Sequence, residues 1–246
     1  MQAQYENHYL TDMDVANFAR QSFGKLAQNF TKEQNDRLIK FLARGMESGD
    51  WEDLIDRMLG IGDVVKRHEL AVYLRSIPEH WVPFAHPHIT LRMQAPVPIR
   101  TQCFKHKQGL VESEESRRYI KSRPVLFVPD HFRAAPKGSI KQGSGDMHPL
   151  SELWRGKYIT HCNAGIELYM AMVEDGVCPE QSRFALPQGV EVHWVWTGSL
   201  YAYANYFTQR SNSHSQQESQ ILANQVDSII SPLYPVSWAA LTRGVY

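Results

Sequence analysis

Between residues 88 and 95 apolar and polar positions alternate: Ile89, Leu91 and Met93 against Thr90, Arg92 and Gln94. A period of two puts one set on one face, so the segment predicts a half-buried strand. Residues 190–197 alternate with aromatics and predict a second strand, and 125–128 predict a short apolar strand closed by Pro129. Elsewhere the spacing is helical. Segments 12–31 and 32–46 predict two helices, the second carrying Leu38, Ile39, Phe41 and Leu42 behind a polar start. Segments 51–59 and 64–77 predict two more, divided by Gly-Ile-Gly and stopped by Pro78, which cannot continue the ladder. A short helix over 99–107, a long one over 151–176, and helices over 200–210 and 214–230 follow. The Gly-, Ser- and Lys-rich stretch 134–148 predicts a mobile loop. Strands interleave with long helices without a βαβ rhythm, which predicts an α+β fold.

Composition narrows the function classes. A chain of 246 residues with 43% hydrophobic and 21% charged residues has the material for a real core. Lys plus Arg and Asp plus Glu both number 26, so the basic excess expected of a protein living on nucleic acid or a membrane surface is absent. No secretory h-region and no stretch apolar enough to span a bilayer stands out. Three widely spaced cysteines, Cys103, Cys162 and Cys178, make neither a disulfide framework nor a zinc set and fit a reducing, cytoplasmic setting.

Common catalytic signatures are missing: no phosphate loop, complete dinucleotide fingerprint, nucleophile elbow or HExxH zinc motif. His86 and His88 flank Pro87 but have no third ligand at metal spacing, so no metal site is expected. Chemistry concentrates instead in residues 104–123. Lys105, His106, Lys107, Arg117, Arg118, Lys121 and Arg123 surround Glu112, Glu114 and Glu115 beside Ser116. Guanidiniums and a hydroxyl suit an anion, and a carboxyl among them can shuttle a proton. The plain alternative is a solvated, salt-bridged helix.

This cluster resembles the signature of the flavin-dependent thymidylate synthases, Arg-His-Arg followed after a spacer by Asn-Glu-x-Ser-x-Arg-Tyr. Lys105-His106-Lys107 stands for the first part, and Ser113-Glu114-Glu115-Ser116-Arg117-Arg118-Tyr119 for the second. Four further blocks agree in order: Ala19-Arg20-Gln21-Ser22-Phe23; His80-Trp81-Val82-Pro83-Phe84-Ala85-His86; the run from Gly176 through Pro179, Glu180 and Arg183 to Leu186-Pro187; and the last block from Thr197 through Asn205 and Arg210 to Glu218.

The resemblance implies a thymidylate synthase-complementing fold, a largely antiparallel sheet with helices and no Rossmann unit. The chain is expected to form a single catalytic domain over 1–246, in which about 43–77 is a helical insertion relative to the family core and about 134–148 the flexible loop read above from composition. The resemblance implies methylation of dUMP to dTMP, with methylenetetrahydrofolate as carbon donor, FAD as hydride carrier and NADPH as reductant, in a homotetramer with shared sites. Carried over by residue, Gln102, Glu114, Ser116, Arg117, Arg118, Arg183 and Arg210 fall at dUMP positions. Arg210, Ser116 and Glu114 are the catalytic candidates. Ser22, the signature cations Lys105, His106 and Lys107, Glu114, Ser199 and Asn205 fall at flavin positions, and His80 in the folate region. None of the cysteines matches a nucleophile, so no covalent nucleotide adduct is expected. The pattern departs where Lys replaces Arg in Lys-His-Lys, and where Ser199 and Tyr201 stand for the usual Asn and Arg. Two other readings stay open: a relative transferring a different group to a pyrimidine nucleotide, and a catalytically silent binder of phosphates or nucleic acid.

Overall fold

The computed structural model describes residues 1–21, 23–44, 48–76, 80–136 and 143–242. Strand β1 (Gln2–Tyr9) leads into helices α1 (Asp12–Gln21), α2 (Lys32–Arg44), α3 (Ser48–Gly60), α4 (Val64–Ser76) and the short α5 (Val82–Ala85). Strand β2 (His88–Pro96), helix α6 (Val97–Cys103) and strand β3 (Leu110–Glu114) follow. Then come the long α7 (Ser151–Glu174), the single turn α8 (Pro179–Ser182), strand β4 (Glu191–Ser199), and helices α9 (Leu200–Arg210), α10 (Gln217–Ile230) and α11 (Pro235–Thr242). The four strands form one antiparallel sheet in the order β1-β2-β4-β3, so the fold is α+β as predicted.

The chain forms two compact units, each assembled from separated stretches. The first comprises 1–7, 90–197 and 206–227. Here the predicted alternation holds: Leu91, Met93 and Ala95 of β2 and Trp194 and Trp196 of β4 are all at most 2% exposed. On the other face Arg92 pairs with Glu6 of β1, and Thr90 bonds Thr197 of β4 at 3.0 Å. The aromatic core continues edge-to-face from Phe104 to Trp194, from Trp194 to Trp196, and from Trp196 to Tyr206. Such T-shaped contacts set ring edges against ring faces.

The second unit comprises 8–89, 198–205 and 228–246. Helix α1 packs on α2, α5 and α11, burying Val15, Ala16, Ile39, Phe84 and Trp238. The Asp12 carboxylate accepts from the Val236 and Ser237 N–H groups at 2.9 and 3.1 Å, capping α11 with an anion where the helix dipole favours one. The Tyr234 hydroxyl reaches the Tyr9 and Leu10 carbonyls at 3.2 and 3.0 Å, beside Leu10 with its positive φ of 76°.

Several sequence expectations need correction. The helix over 12–31 is two pieces, because Gly24 at φ 64° reverses the chain and the Lys25 N–H turns back to the Arg20 carbonyl at 3.2 Å; a 3-10 turn, Ala27–Asn29, follows. Residues 125–128 make only one bridge, Leu126 to Val190, since Pro124 and Pro129 withhold donors on either side. The last long helix starts at Gln217 rather than at 214. The signature region is not a charged helix but strand β3 and a turn, in which the Tyr119 and Ile120 N–H groups bond the Ser116 carbonyl. The ends of the predicted loop 134–148 are laddered: Arg133 bridges Met147, and the Ala134 N–H bonds the Asp146 carbonyl at 2.8 Å. Within that stretch 137–142 lie outside the described residues. Strands β1 and β3 and helix α11 were not read from the sequence. The expected helical pair in 43–77 is α3 and α4.

Candidate active site

Two clefts in the first unit gather six of the fourteen predicted residues. One, of about 430 Å³, is lined by Ser116, Arg117, Glu114, Arg100, Arg183 and Gln188, with Leu186, Pro187 and Val192 among its apolar walls. The turn after β3 presents Ser116 and Arg117, and the 3-10 turn Arg183–Ala185 presents Arg183. Arg117 donates from Nη1 to the Ser122 carbonyl at 2.5 Å, while its buried Nε has no partner. A buried cationic donor left unmade is costly unless something fills it. Against the carboxyls of Glu114 and Glu115, the three guanidiniums of Arg100, Arg117 and Arg183 leave the cleft lining cationic by one formal charge. Arg118 lies apart from its lining: exposed, it pairs with Glu180, whose carbonyl accepts from Arg183 Nε at 3.3 Å.

Glu114 is half buried at this cleft, with Arg100 Nε 3.3 Å from its Oε1. That Nε makes no aligned hydrogen bond, so the contact is one of charge. Burial raises the Glu114 pKa against the pull of Arg100, and Glu115 and Glu112 push the same way. Glu115 also lines this cleft, and its carboxylate lies 3.0 Å from His193 Nδ1 of β4.

The second cleft, of about 500 Å³, holds Gln102, Arg210, His214, Ser215 and Gln216, together with Arg133 and, from the segment predicted as a loop, Gly143 and Ser144. Arg210 ends α9; its Nε donates to His106 Nε2 at 2.8 Å and its Nη2 to the Gln102 carbonyl at 3.2 Å. The His106 ring stands edge-on to Tyr206 at 5.1 Å. Burial, reinforced by Arg210, pushes its pKa down to about 4. This corrects the reading of Lys-His-Lys as three cations: His106 is a neutral acceptor that holds Arg210. Of the flanking lysines, Lys107 pairs with Glu112 and Lys105 is exposed.

The remaining predicted positions lie in the second unit. His80 is exposed and stacks against Phe41 at 6.1 Å. Ser199 is buried, and its hydroxyl accepts from the Ala202 N–H at 3.2 Å, capping α9. Asn205 is exposed, and Ser22 lies outside the described residues. Tyr201 meets Trp81 at 5.8 Å. His86 stacks on Phe18 at 4.1 Å, and His88 Nδ1 bonds the His86 carbonyl at 2.8 Å. Cys103 is buried, and its thiol is pushed up to about 11 by desolvation; burial also raises Cys162. Sequence reasoning missed Arg100, Gln188, Arg133 and Glu218. The available signal was Arg100 one turn ahead of the signature; Arg133 sat in a stretch without a motif.

The sequence and the fold match a known class. The chain belongs to the thymidylate synthase complementing protein family, whose model matches residues 7–236. It is an enzyme of that family. Its relatives include the flavin-dependent thymidylate synthase of Thermosipho africanus (strain TCF52B), 27% identical over 191 residues, 76% of this chain and 82% of the relative. Another is the flavin-dependent thymidylate synthase of Thermotoga neapolitana, 27% identical over 184 residues, 75% of this chain and 80% of the relative. Among solved structures, the UMP/dUMP methylase PolB from Streptomyces cacaoi bound with 5-Br dUMP shares the fold at a TM-score of 0.77 and 20% identity, over 98% of this chain and 94% of that one.

Proposed function

We propose that this enzyme methylates dUMP to dTMP, with methylenetetrahydrofolate as carbon donor, FAD as redox cofactor and NADPH as reductant. The observation that carries the reading is the single cleft that brings Ser116, Arg117 and Arg183 together from separate parts of the chain. Arg117 and Arg183 supply paired cationic donors for a dianionic phosphate, and Ser116 a hydroxyl. Arg118, on the same turn, is a further phosphate candidate once released from Glu180. Arg210 spends one N–H on His106 and one on the Gln102 carbonyl, which leaves three for a pyrimidine carbonyl. Charge that develops on that carbonyl as C5 turns nucleophilic is stabilised by a cation already fixed in place. His106, being neutral, orients Arg210 without competing for its charge. Glu114, its pKa raised by burial, takes up a proton more readily than a free carboxyl and is the candidate to pass one to or from the base.

The donor types fit a flavin: exposed cationic Lys105 for phosphate oxygens and the exposed Asn205 amide for a ring edge. By the family resemblance, Lys105, His106, Lys107 and Glu114 of the first unit would hold it, Ser22, Ser199 and Asn205 of the second fall at flavin positions as well, and His80 falls at a folate position. When bound, the flavin supplies the reducing equivalents that complete the methyl group. The reading includes a homotetramer in the cytoplasm. Among the described residues no helix is long and apolar enough to cross a membrane. The methylase with the shared fold, also solved with 5-Br UMP, favours UMP as a second nucleotide to assay.

The test is a product assay with dUMP or UMP, methylenetetrahydrofolate, FAD and NADPH. The expected product is dTMP. Folded, FAD-loaded protein that modifies neither nucleotide would refute the proposal. A different modified pyrimidine would point to the divergent relative, and a salt-sensitive shift of nucleic acid without turnover to the silent binder.

A further inference from the structure

The segment around Arg133 has no role in the reading above, yet it closes one wall of the Arg210 cleft. Arg133 is 18% exposed on its side chain and Glu218 is 11% exposed. Arg133 Nη2 lies 2.8 Å from both Glu218 oxygens, and Arg133 Nε donates to Ser144 Oγ at 2.7 Å. Glu218 also accepts from Gln216 Nε2 at 2.9 Å. Gln216 Oε1 in turn accepts from Gln102 Nε2 at 2.6 Å, and Gln102 Oε1 accepts from the Ser219 hydroxyl at 2.9 Å.

The order of these bonds follows from one charge. An ionised carboxylate can only accept, so Gln216 must turn its NH2 group to Glu218. Its carbonyl oxygen then faces Gln102, which must answer with its own NH2. The Gln102 carbonyl oxygen is left to the Ser219 hydroxyl. Without the charge at Glu218, each amide could flip by exchanging its oxygen and nitrogen at little cost, since the two ends have nearly the same shape. After these bonds Gln102 retains one N–H and one lone pair, and it lines the cleft beside Arg210.

We propose that Arg133 is a positioning residue: through Glu218 and Gln216 it fixes the polarity of the Gln102 amide, and so makes the cleft select uracil over cytosine nucleotides. Uracil presents a ring N–H beside an acceptor oxygen, and cytosine presents a bare ring nitrogen beside an amino donor. Their donor and acceptor patterns are reversed. An amide fixed one way pairs with one pattern and sets like against like with the other, whereas an amide free to flip accepts both. The inference rests on the reading of this cleft as the base end of a pyrimidine nucleotide site.

The experiment measures dUMP and dCMP affinity by calorimetry on FAD-loaded wild type, Arg133→Met, Arg133→Lys and Glu218→Gln. The expected result is a dUMP preference that falls roughly tenfold or more in Arg133→Met and Glu218→Gln, about the worth of one hydrogen bond, and largely survives in Arg133→Lys. Equal weakening of both nucleotides would mark the pair as structural and overturn the proposal. If Arg133→Met does not fold, Glu218→Gln, which keeps the shape, carries the same comparison. Side-chain amide NMR on glutamine-labelled protein separates this claim from the reading beneath it. Should wild type bind neither nucleotide, the nucleotide reading falls by itself. New or doubled Gln102 and Gln216 amide signals in Glu218→Gln then still support the fixed polarity, and unchanged signals overturn it.

Discussion

Acidification tests the neutral state of His106 directly. In the folded protein its pKa is pushed from 6.5 to about 4, first by burial and then by the Arg210 guanidinium 2.8 Å away. The unfolded chain therefore binds more protons than the folded one between those values, and stability falls as pH falls through that window. It is fully present above about pH 6.5. At about 1.4 kcal/mol per unit the whole shift is worth roughly 3 kcal/mol, but the ring is only half buried, and solvent screening reduces this to about 1–2 kcal/mol. About 1 kcal/mol of it is expected to disappear between pH 7 and pH 5. His106→Gln keeps an acceptor for Arg210 and removes the titration. The assay is urea unfolding of both proteins from pH 7.5 to pH 4.5, since the carboxylates common to both drop out of the difference. The expected outcome is a wild-type stability that declines more steeply than that of the variant. An NMR titration locates the His106 midpoint below 5. A midpoint near 6.5 with parallel stability curves would refute the reasoning and restore His106 as a cation.

Three further outcomes are expected. Arg210→Ala should lower dTMP formation roughly a hundred- to thousandfold at saturating dUMP, the usual cost of one donor aimed at developing charge, while NADPH-driven flavin reduction suffers less; near-normal turnover would make Arg210 only a helix-end charge. Gly189→Ala should cost about 2–4 kcal/mol by thermal unfolding, because an added Cβ falls 1.9 Å from the Tyr158 hydroxyl that donates to the Phe127 carbonyl at 2.8 Å. Tyr158→Phe in that background should recover part of the loss, and strict additivity of the two changes would contradict the clash. Thiol alkylation at pH 8 should reach exposed Cys178 well before buried Cys103, whose pKa near 11 leaves almost no thiolate, and mass spectrometry should find no nucleotide on any cysteine.

The elements legible in the sequence were those whose pattern is decided locally. Strands β2 and β4 bury one face, so their period of two is written in Leu91, Met93, Trp194 and Trp196. Strand β1 could not be read that way: Gln2, Tyr5, Glu6 and Tyr9 are all in the open, and its pairing with β2 is a long-range fact. Helix α11 was hidden because its cap, Asp12, is 224 residues away from Val236. At the site, the family resemblance singled out Ser116, Arg117 and Arg183, which line one cleft, and Gln102 and Arg210, which line another. It could not give protonation, because the neutrality of His106 depends on Tyr206 and Arg210 closing around it. Nor could it give Arg133, whose partner Glu218 lies 85 positions on.

The interleaving of the two units bears on how the chain comes to fold. Neither unit is a continuous stretch: residues 206–227 finish the first, and 198–205 with 228–246 finish the second. During synthesis the β2 strand, made before residue 97, must wait for β4, made nearly a hundred residues later, before its central ladder can close. Until then Leu91 and Met93 have no sheet neighbour on that side. Long-range pairing of this kind is slow and leaves apolar edges open to other chains. The sequence meets that interval by breaking up β2 with Thr90, Arg92 and Gln94 on its outer face, residues that keep a waiting strand in solution rather than against a second copy of itself.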